Sequence, residues 1–301
     1  MNNKNLIQSR INKNDEYYTQ YKDIQLELNH YIPFFENKII YCNCDDPSFS
    51  QFFQYFINNF SNFKLKQLIT SHLNGYITIT DYSGTKIIKL TGNGSFDSPE
   101  CINLLKQSDI IITNPPFSIF SHFISTLYQY HKDFIIIGGK TSIPGPFMID
   151  KFKNNEIQLG YNYGKGSMNY ITPDNNIKSV GSYWFTNLSI PKHTSIPLFQ
   201  KYSPDLFPHY DNICAIEVNK TKNIPLDYDG IMGVPISFIL YYNPSQFQIL
   251  TSTARHNFEE YRIKNYTELD AKNYNDLNAA PVIIVDGKYK PLYSRLLIKK
   301  R

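Results

Sequence analysis

Four consecutive residues, Asn114-Pro115-Pro116-Phe117, carry the clearest chemistry in this sequence. The side-chain oxygen of Asn114 and the backbone carbonyl of Pro115 are two hydrogen-bond acceptors on adjacent residues. Proline fixes its own backbone dihedral and has no N–H group, so the turn is stiff and its carbonyls can point outward. Phe117 adds a flat apolar face beside these acceptors. Two acceptors and a flat wall suit a planar ring that bears an exocyclic amine.

Such a turn can help an aromatic amine to act as a nucleophile. The lone pair of the amine is delocalised into its ring, and acceptors that hold both amine hydrogens favour a tetrahedral nitrogen with a free lone pair. The electrophile must then be strong and already positioned, as the methyl group of a sulfonium is, and neither a covalent nucleophile nor a metal is required. A second interpretation is structural, in which the prolines end a strand and Asn114 caps a helix that begins at Ser118.

The segments around this turn predict an α/β fold. Between residues 38 and about 160, apolar strands alternate with amphipathic helices, which is typical of a parallel sheet that is covered on both faces. Helices are predicted to begin at Pro47-Ser48, at Ser98-Pro99 and at Ser118. Strands are predicted at "KIIYCNC" (38–44), "LKQLIT" (65–70), "YITITDY" (76–82), "TKIIKL" (85–90), "DIIIT" (109–113) and "DFIIIGG" (133–139). Ligands of such sheets lie at the carboxyl ends of the strands, where "CDDP" and "TNPPF" are both expected.

Composition narrows the class of protein without identifying a function. The chain has 301 residues, a net charge of +4 and 15% aromatic residues, which permits a polyanionic partner without requiring one. It has no apolar run of membrane-spanning length and no signal-peptide pattern, so we expect a soluble, intracellular protein. Cys42 and Cys44 form a Cys-x-Cys pair, but Cys101 and Cys214 are isolated, so neither a zinc site nor a disulfide framework is predicted.

Six segments resemble the EcoRI-type family of adenine-specific (N6) DNA methyltransferases, and they occur in the family's order. The Asn-Pro-Pro-Phe turn itself resembles the catalytic motif of amino-methyltransferases that use S-adenosylmethionine. The six segments are "DEYYTQYKDIQLEL" (15–28), "YCNCDDPSFSQFFQYF" (41–56), "SDIIITNPPFSIF" (108–120), "WFTNL" (184–188), "YDGIMGVPISF" (228–238) and "YSRLLIK" (293–299). They span nearly the whole chain.

The resemblance implies a Rossmann-like methyltransferase fold with a mostly parallel seven-stranded sheet and a C-terminal extension. Residues 1–190 would form the cofactor-binding and catalytic core, and residues 191–301 would carry DNA-recognition elements packed on that core. The cofactor would be S-adenosylmethionine. The substrate would be an adenine flipped out of duplex DNA at a specific site, because its amine is inaccessible in the stacked duplex. Two arrangements stay open: a restriction–modification pair with a cognate endonuclease that acts on the same site, or a methyltransferase that acts alone.

The resemblance also assigns roles to individual residues. Asn114 and the Pro115 carbonyl would hold the amine, with Pro116 stiffening the turn and Phe117 stacking on the base. The cofactor-binding positions implied are Tyr17, Tyr18, Thr19, Asp45, Asp46, Pro47, Ser95 and Phe96. Two features depart from related methyltransferases: no glycine follows the first strand, and Ser71-His72 stands where an acid for the cofactor ribose is usual. Asp45 or Asp46 can take that role.

Five cations are candidates for contact with DNA phosphates, which would give a salt-dependent affinity. They are Lys165, Lys178, Arg255, Arg262 and Lys264. Solvated surface charge explains each of them equally well.

Two alternatives remain open from the sequence. One is a methyltransferase that acts on RNA or on a protein glutamine, since the local chemistry of the turn is similar. The other is a non-catalytic DNA-binding relative that keeps the fold.

Overall fold

The computed structural model describes residues 17–162, 166–190, 194–254 and 257–301, and these form two compact units. The first comprises the chain up to Lys140 together with Gln158–Ser189, and the second comprises Thr141–Ile157 and Ile190–Arg301. The predicted division at residue 190 into a catalytic core and a DNA-recognition region stays a prediction. Within the described ranges, no helix is long and apolar enough to cross a membrane.

The first unit contains eleven of the described strands and four of the described α-helices. The strands are β1 (Tyr18–Thr19), β2 (Ile39–Cys42), β3 (Gln67–His72), β4 (Tyr76–Asp81), β5 (Gly84–Lys89), β6 (Ile110–Thr113), β7 (Asp133–Gly139), β8 (Gln158–Leu159), β9 (Met168–Ile171), β10 (Ile177–Val180) and β11 (Ser182–Thr186). The helices are α1 (Tyr21–Leu28), α2 (Gln51–Asn59), α3 (Pro99–Gln107) and α4 (Phe120–Gln129). Short 3-10 helices cover Asn29–Phe34 and Phe117–Ile119.

An eight-stranded mixed sheet forms the centre of this unit, with the order β5-β4-β3-β2-β6-β7-β11-β8. The pairs β3–β2, β2–β6 and β6–β7 are parallel. Strands β4 and β11 run antiparallel to their neighbours, so the other six strands share one direction. The α/β class is confirmed, but the sheet has eight strands rather than the predicted seven, and β4 and β5 form a hairpin at the edge beyond β3.

The central strands are buried because they are continuous apolar runs covered on both faces. All four residues of β6 are buried, and so are Phe134–Ile137 in β7. Such runs leave no polar face for solvent, which is the pattern expected of parallel strands in an α/β sheet.

Polar caps fix where two of the helices begin. The Ser98 hydroxyl accepts from the Cys101 N–H group and Pro99 follows it, as predicted for α3. Helix α2 begins later than predicted, because its cap is Ser50 and not Pro47-Ser48. The Ser48 N–H and hydroxyl instead donate to Asp46 Oδ1, at 2.9 and 2.6 Å, which commits Ser48 to a turn.

A small three-stranded sheet with the order β1-β9-β10 brings the beginning of the described chain to the turn at Asn114–Phe117. Tyr18 pairs with Ile171 and Thr19 with Tyr170, in antiparallel register. The Tyr170 ring is fully buried, and its hydroxyl lies 2.6 Å from the Ser182 hydroxyl at the start of β11. The small sheet is therefore anchored to the large one.

The second unit has its own sheet and core. Its strands are β12 (Ile216–Glu217), β13 (Met232–Pro235), β14 (Phe247–Ser252), β15 (Val282–Val285), β16 (Lys288–Pro291) and β17 (Arg295–Lys300), and its helices are α5 (Pro146–Lys153) and α6 (Tyr274–Asn278). One sheet has the order β12-β13-β17-β14, and β15 and β16 form a separate hairpin. The Arg295 guanidinium donates to the Glu217 carboxylate at 2.7 Å, and the Tyr210 hydroxyl donates to the same carboxylate.

Candidate active site

A pocket opens at the carboxyl ends of β2, β3 and β6. Its volume is about 1030 Å³ when space open to solvent is included. It is lined by residues 17–19, 43–46, 49–52, 72–73, 94–96, 114–116 and 119. This lining includes every predicted catalytic and cofactor-binding residue except Pro47 and Phe117.

The Asn114 amide is held by the N-terminal strand. Its Nδ2 donates to the Tyr17 carbonyl oxygen at 2.7 Å and to Thr19 Oγ1 at 3.2 Å. Its Oδ1 is buried and has no hydrogen-bond partner in the part of the chain that the structure describes. Asn114 therefore does not cap the next helix, which contradicts the structural interpretation. A buried acceptor of this kind is costly unless a ligand donates to it.

Phe117 lies behind the pocket lining in an aromatic cluster. Its ring centroid is 5.5 Å from that of Tyr17 and 6.4 Å from that of Tyr170. Lys178 covers this cluster, because its Nζ lies 5.2 Å from the centre of the Tyr17 ring and donates to the Tyr17 hydroxyl at 3.2 Å. The Lys178 ammonium and the rings of Tyr17 and Tyr170 thus lie beside the Asn114–Phe117 turn.

Asp45 links three elements at the floor of the pocket. Its Oδ1 accepts from the Ser50 hydroxyl at 2.6 Å, and its Oδ2 accepts from the Thr113 hydroxyl at 2.7 Å. Burial raises the pKa of this carboxyl to about 6, although both hydroxyl donors oppose the increase. The carboxyl thus ties the end of β2 to the start of α2 and to the end of β6, next to Asn114.

Asp46, unlike Asp45, has one carboxylate oxygen that accepts only a long hydrogen bond from the protein. Its Oδ1 is bonded to Ser48, but its Oδ2 has only a 3.3 Å hydrogen bond from Asn74 and lies 3.6 Å from His72 Nδ1. That second distance is too long for a hydrogen bond, and His72 Nδ1 is buried without one among the described residues. A hydroxyl-bearing ligand can therefore reach Asp46 more readily than Asp45.

The loop 93–97 forms another wall of the pocket. Ser95 Oγ donates to Asp97 Oδ1 at 2.5 Å, and the Phe96 ring packs against His122 with centroids 5.2 Å apart. Asp97 Oδ2 also lies 3.4 Å from His122 Nε2, so the loop is tied to α4. Gly94 has a φ of +80°, and a Cβ atom there would lie 2.1 Å from the His72 carbonyl oxygen, so the loop requires glycine at this position.

Two polar residues of the site were missed by the sequence analysis. Asn43 lines the pocket with 3% exposure, and its Oδ1 has no hydrogen-bond partner among the described residues. Thr113 is fully buried and bonded to Asp45. Both are polar residues at the carboxyl end of an apolar strand, and that position was the available signal for a role in the site.

The predicted DNA-contacting cations lie in different environments. Lys178 is exposed and packs on Tyr17. The Arg262 side chain is 5% exposed and bonded to Glu259, and Lys264 Nζ is bonded to Asp211 at 2.9 Å. Lys165 and Arg255 lie outside the described residues. DNA contact by any of these cations stays a prediction.

Among the described residues, no group of three or more His, Cys, Asp or Glu side chains is placed to hold a metal ion. Cys42, Cys44, Cys101 and Cys214 form no disulfide bond in the part of the chain that the structure describes.

The chain matches the family described as adenine-specific methyltransferase EcoRI, over residues 5–83 and 74–301. It is 40% identical to the type II methyltransferase M.EcoRI of Escherichia coli, with 82% of this chain and 89% of that protein aligned. It is 36% identical to the type II methyltransferase M.MgeORF184P of Mycoplasma genitalium and 34% identical to the type II methyltransferase M.MpnI of Mycoplasma pneumoniae. Each of these alignments covers 96% of this chain and 96% of the relative. No solved structure matches it significantly.

These matches extend over nearly the whole chain and include the Asn114–Phe117 turn and the pocket. The chain therefore belongs to the EcoRI-type family of adenine-specific DNA methyltransferases.

Proposed function

We propose that this methyltransferase binds S-adenosylmethionine in the pocket and methylates the exocyclic amine of an adenine flipped out of duplex DNA. The observation that carries the proposal is the Asn114 amide, whose Nδ2 is occupied by the protein while its buried Oδ1 is left to accept from a ligand. Pro115 lines the same pocket and adds its carbonyl as a second acceptor.

The pocket residues fit the proposed cofactor. Asp46 has an oxygen available for the ribose hydroxyls, and buried Asn43 has a free amide oxygen for a donor such as an amine or a hydroxyl. Phe49 and Phe96 supply apolar walls for a purine ring, and Ser95 lies beside them. Tyr17, Tyr18 and Thr19 close the pocket from the N-terminal strand. We assign the ribose to Asp46 because both oxygens of Asp45 already accept from protein hydroxyls.

The chain's contribution to the reaction is orientation and electrostatic preorganisation. The bound cofactor supplies a methyl group on a positively charged sulfur. Asn114 Oδ1 and the Pro115 carbonyl hold the two amine hydrogens of adenine, so the nitrogen lone pair is directed out of the ring plane. As the nitrogen bonds the methyl group it becomes positively charged, and the same two dipoles stabilise it without having to reorient. One of the two amine hydrogens then leaves as a proton to solvent, which gives the neutral methylated amine. Pro116 keeps the turn stiff, and Phe117 with Tyr17 provides aromatic surface for the base.

The finer fold assignment follows from the same function. We infer a Rossmann-like methyltransferase core, supported by the six strands that share one direction and by β11, which runs antiparallel between β7 and β8. Residues 191–301 are assigned to DNA recognition, and a restriction endonuclease of the same specificity is the expected partner. Family membership disfavours RNA or a protein glutamine as the substrate.

Label transfer tests this proposal. Purified protein with methyl-labelled S-adenosylmethionine is expected to label adenine in duplex DNA from a methylation-deficient host, and not RNA or protein. Asn114→Ala should lower turnover by roughly 10²–10³-fold, because it removes a transition-state acceptor, while the Kd for the cofactor changes little. Asn58→Ala, which alters an exposed asparagine on α2, is the matched control. Near-normal turnover of Asn114→Ala would show that the assigned role of the turn is wrong.

A further inference from the structure

We propose that the N-terminal strand β1 sets the orientation of the catalytic amide, with Thr19 as a positioning residue. The proposal rests on the function proposed above and goes beyond it, because the family resemblance gives Thr19 only a cofactor-binding role. Two acceptors, the carbonyl of Tyr17 just before β1 and the hydroxyl of Thr19 on β1, contact the same Asn114 nitrogen.

The chemistry of these two partners decides which atom of Asn114 faces the substrate. An asparagine side chain can rotate by half a turn and exchange its oxygen with its NH₂ group at little cost in shape. The Tyr17 carbonyl oxygen can only accept a hydrogen bond, so the atom 2.7 Å away must be a donor, which is Nδ2. Thr19 Oγ1 takes the second hydrogen of the same group.

The exchanged orientation would be unproductive. It would place Nδ2 where the adenine amine must donate, so two donors would face each other. It would also place Oδ1 against the Tyr17 carbonyl, so two hydrogen-bond acceptors would face each other with no hydrogen between them. The two bonds from β1 therefore favour the one orientation in which the amide can accept from adenine.

The strand that makes these bonds is itself fixed. Thr19 is 5% exposed and pairs with Tyr170 in β9. Tyr170 is bonded to Ser182 in β11 of the large sheet, whereas Asn114 follows the central strand β6 of that sheet. The amide is thus held between two parts of one framework, although 95 residues separate Thr19 from Asn114.

The first test compares Thr19→Val, which keeps the shape and removes the hydroxyl, with Thr19→Ser, which restores it. We expect Thr19→Val to lower kcat by about five- to tenfold, the effect of one lost hydrogen bond, with the cofactor Kd unchanged. Thr19→Ser should recover most of the wild-type kcat. An unchanged kcat, or a weaker cofactor Kd with normal kcat, would overturn the proposal, and the latter would make Thr19 a cofactor contact.

The second test uses pH and does not depend on the stability of the Thr19 variants. In Asn114→Asp, an ionised carboxylate would face the Tyr17 carbonyl with no hydrogen between them, whereas a protonated one can donate to that carbonyl and still accept from adenine. The activity of Asn114→Asp relative to wild type should therefore be highest at low pH and fall as pH rises. A ratio that does not vary with pH, or that rises, would overturn the proposal.

Wild-type protein in the same assays distinguishes a failure of the proposed function from a failure of the proposed orientation by β1. If the wild type transfers no methyl group to DNA, the proposed function fails and this proposal fails with it. If the wild type is active and both tests give the contradicting results, the orientation by β1 is wrong and the function stands.

Discussion

Asp45 gives a prediction whose size can be worked out from the structure. Its carboxyl lies at the floor of the pocket, and burial raises its pKa from 3.8 to about 6 despite the hydroxyl donors Ser50 and Thr113. Because the folded-state pKa is above the unfolded one, folding favours the protonated carboxyl. This contribution to stability is complete below the unfolded pKa and is lost as pH rises through the folded pKa.

The free energy involved is about 3 kcal/mol, at about 1.4 kcal/mol for each pKa unit. Asp45→Asn removes the ionisation and keeps the shape, and its amide can accept from one hydroxyl and donate to the other. We therefore expect the unfolding free energy of Asp45→Asn, relative to wild type, to increase by about 3 kcal/mol between about pH 3 and about pH 8. Urea unfolding across this range measures that difference.

Asp205→Asn, which alters an exposed aspartate, serves as the matched control for removal of one carboxylate. A stability difference between Asp45→Asn and wild type that stays constant with pH would refute the reasoning, because it would mean that Asp45 ionises equally well in the folded and unfolded chains. A difference that decreases with pH would reverse the sign and point to a carboxylate stabilised by its two hydroxyl donors.

Three further predictions concern the pocket and the second unit. Gly94→Ala should lower the melting temperature and weaken cofactor binding, because its Cβ would lie 2.1 Å from the His72 carbonyl oxygen; calorimetry with and without cofactor measures both effects. Asp46→Ala should raise the cofactor Kd with little change in melting temperature, and an unchanged Kd would remove Asp46 from the ribose site. Arg295→Leu should lower the free energy of unfolding by about 3–5 kcal/mol, because Glu217 is 7% exposed and would lose its ion-pair partner. Urea unfolding measures this change, and a decrease below about 1 kcal/mol would contradict the prediction.

Much of the site could be predicted from local sequence because its parts follow strand ends. The apolar run before Asn114 identified a buried strand, and the α/β pattern placed its carboxyl end at a ligand-binding edge. The pocket is indeed lined by Asp45, Asp46 and Asn114, which belong to segments far apart in sequence. The alternation of strands and helices is sufficient to predict this edge. Strands that are joined by a helix run parallel, so their carboxyl ends meet at the same edge of the sheet.

Other features depended on contacts that no local pattern encodes. The bonds from β1 to Asn114 join residues 95 and 97 positions apart, and the sequence around Thr19 gives no sign of them. The start of α2 was misplaced because Ser48 and Ser50 are both suitable caps, and only the bond from Ser48 to Asp46 decides between them. The burial of the Arg262 guanidinium was also invisible in the sequence, because its 5% exposure and its hydrogen bond to the Asn278 carbonyl depend on contacts with a segment 16 positions away.

The most direct test of the central claim is methylation mapping of DNA from a methylation-deficient host that expresses the protein, with Asn114→Ala in parallel. We predict N6-methyladenine at one recurring short sequence in cells with the wild-type chain, and its loss in cells with the variant at equal protein level. The absence of new methylation from folded wild-type protein would contradict the account, and so would an unchanged pattern from Asn114→Ala.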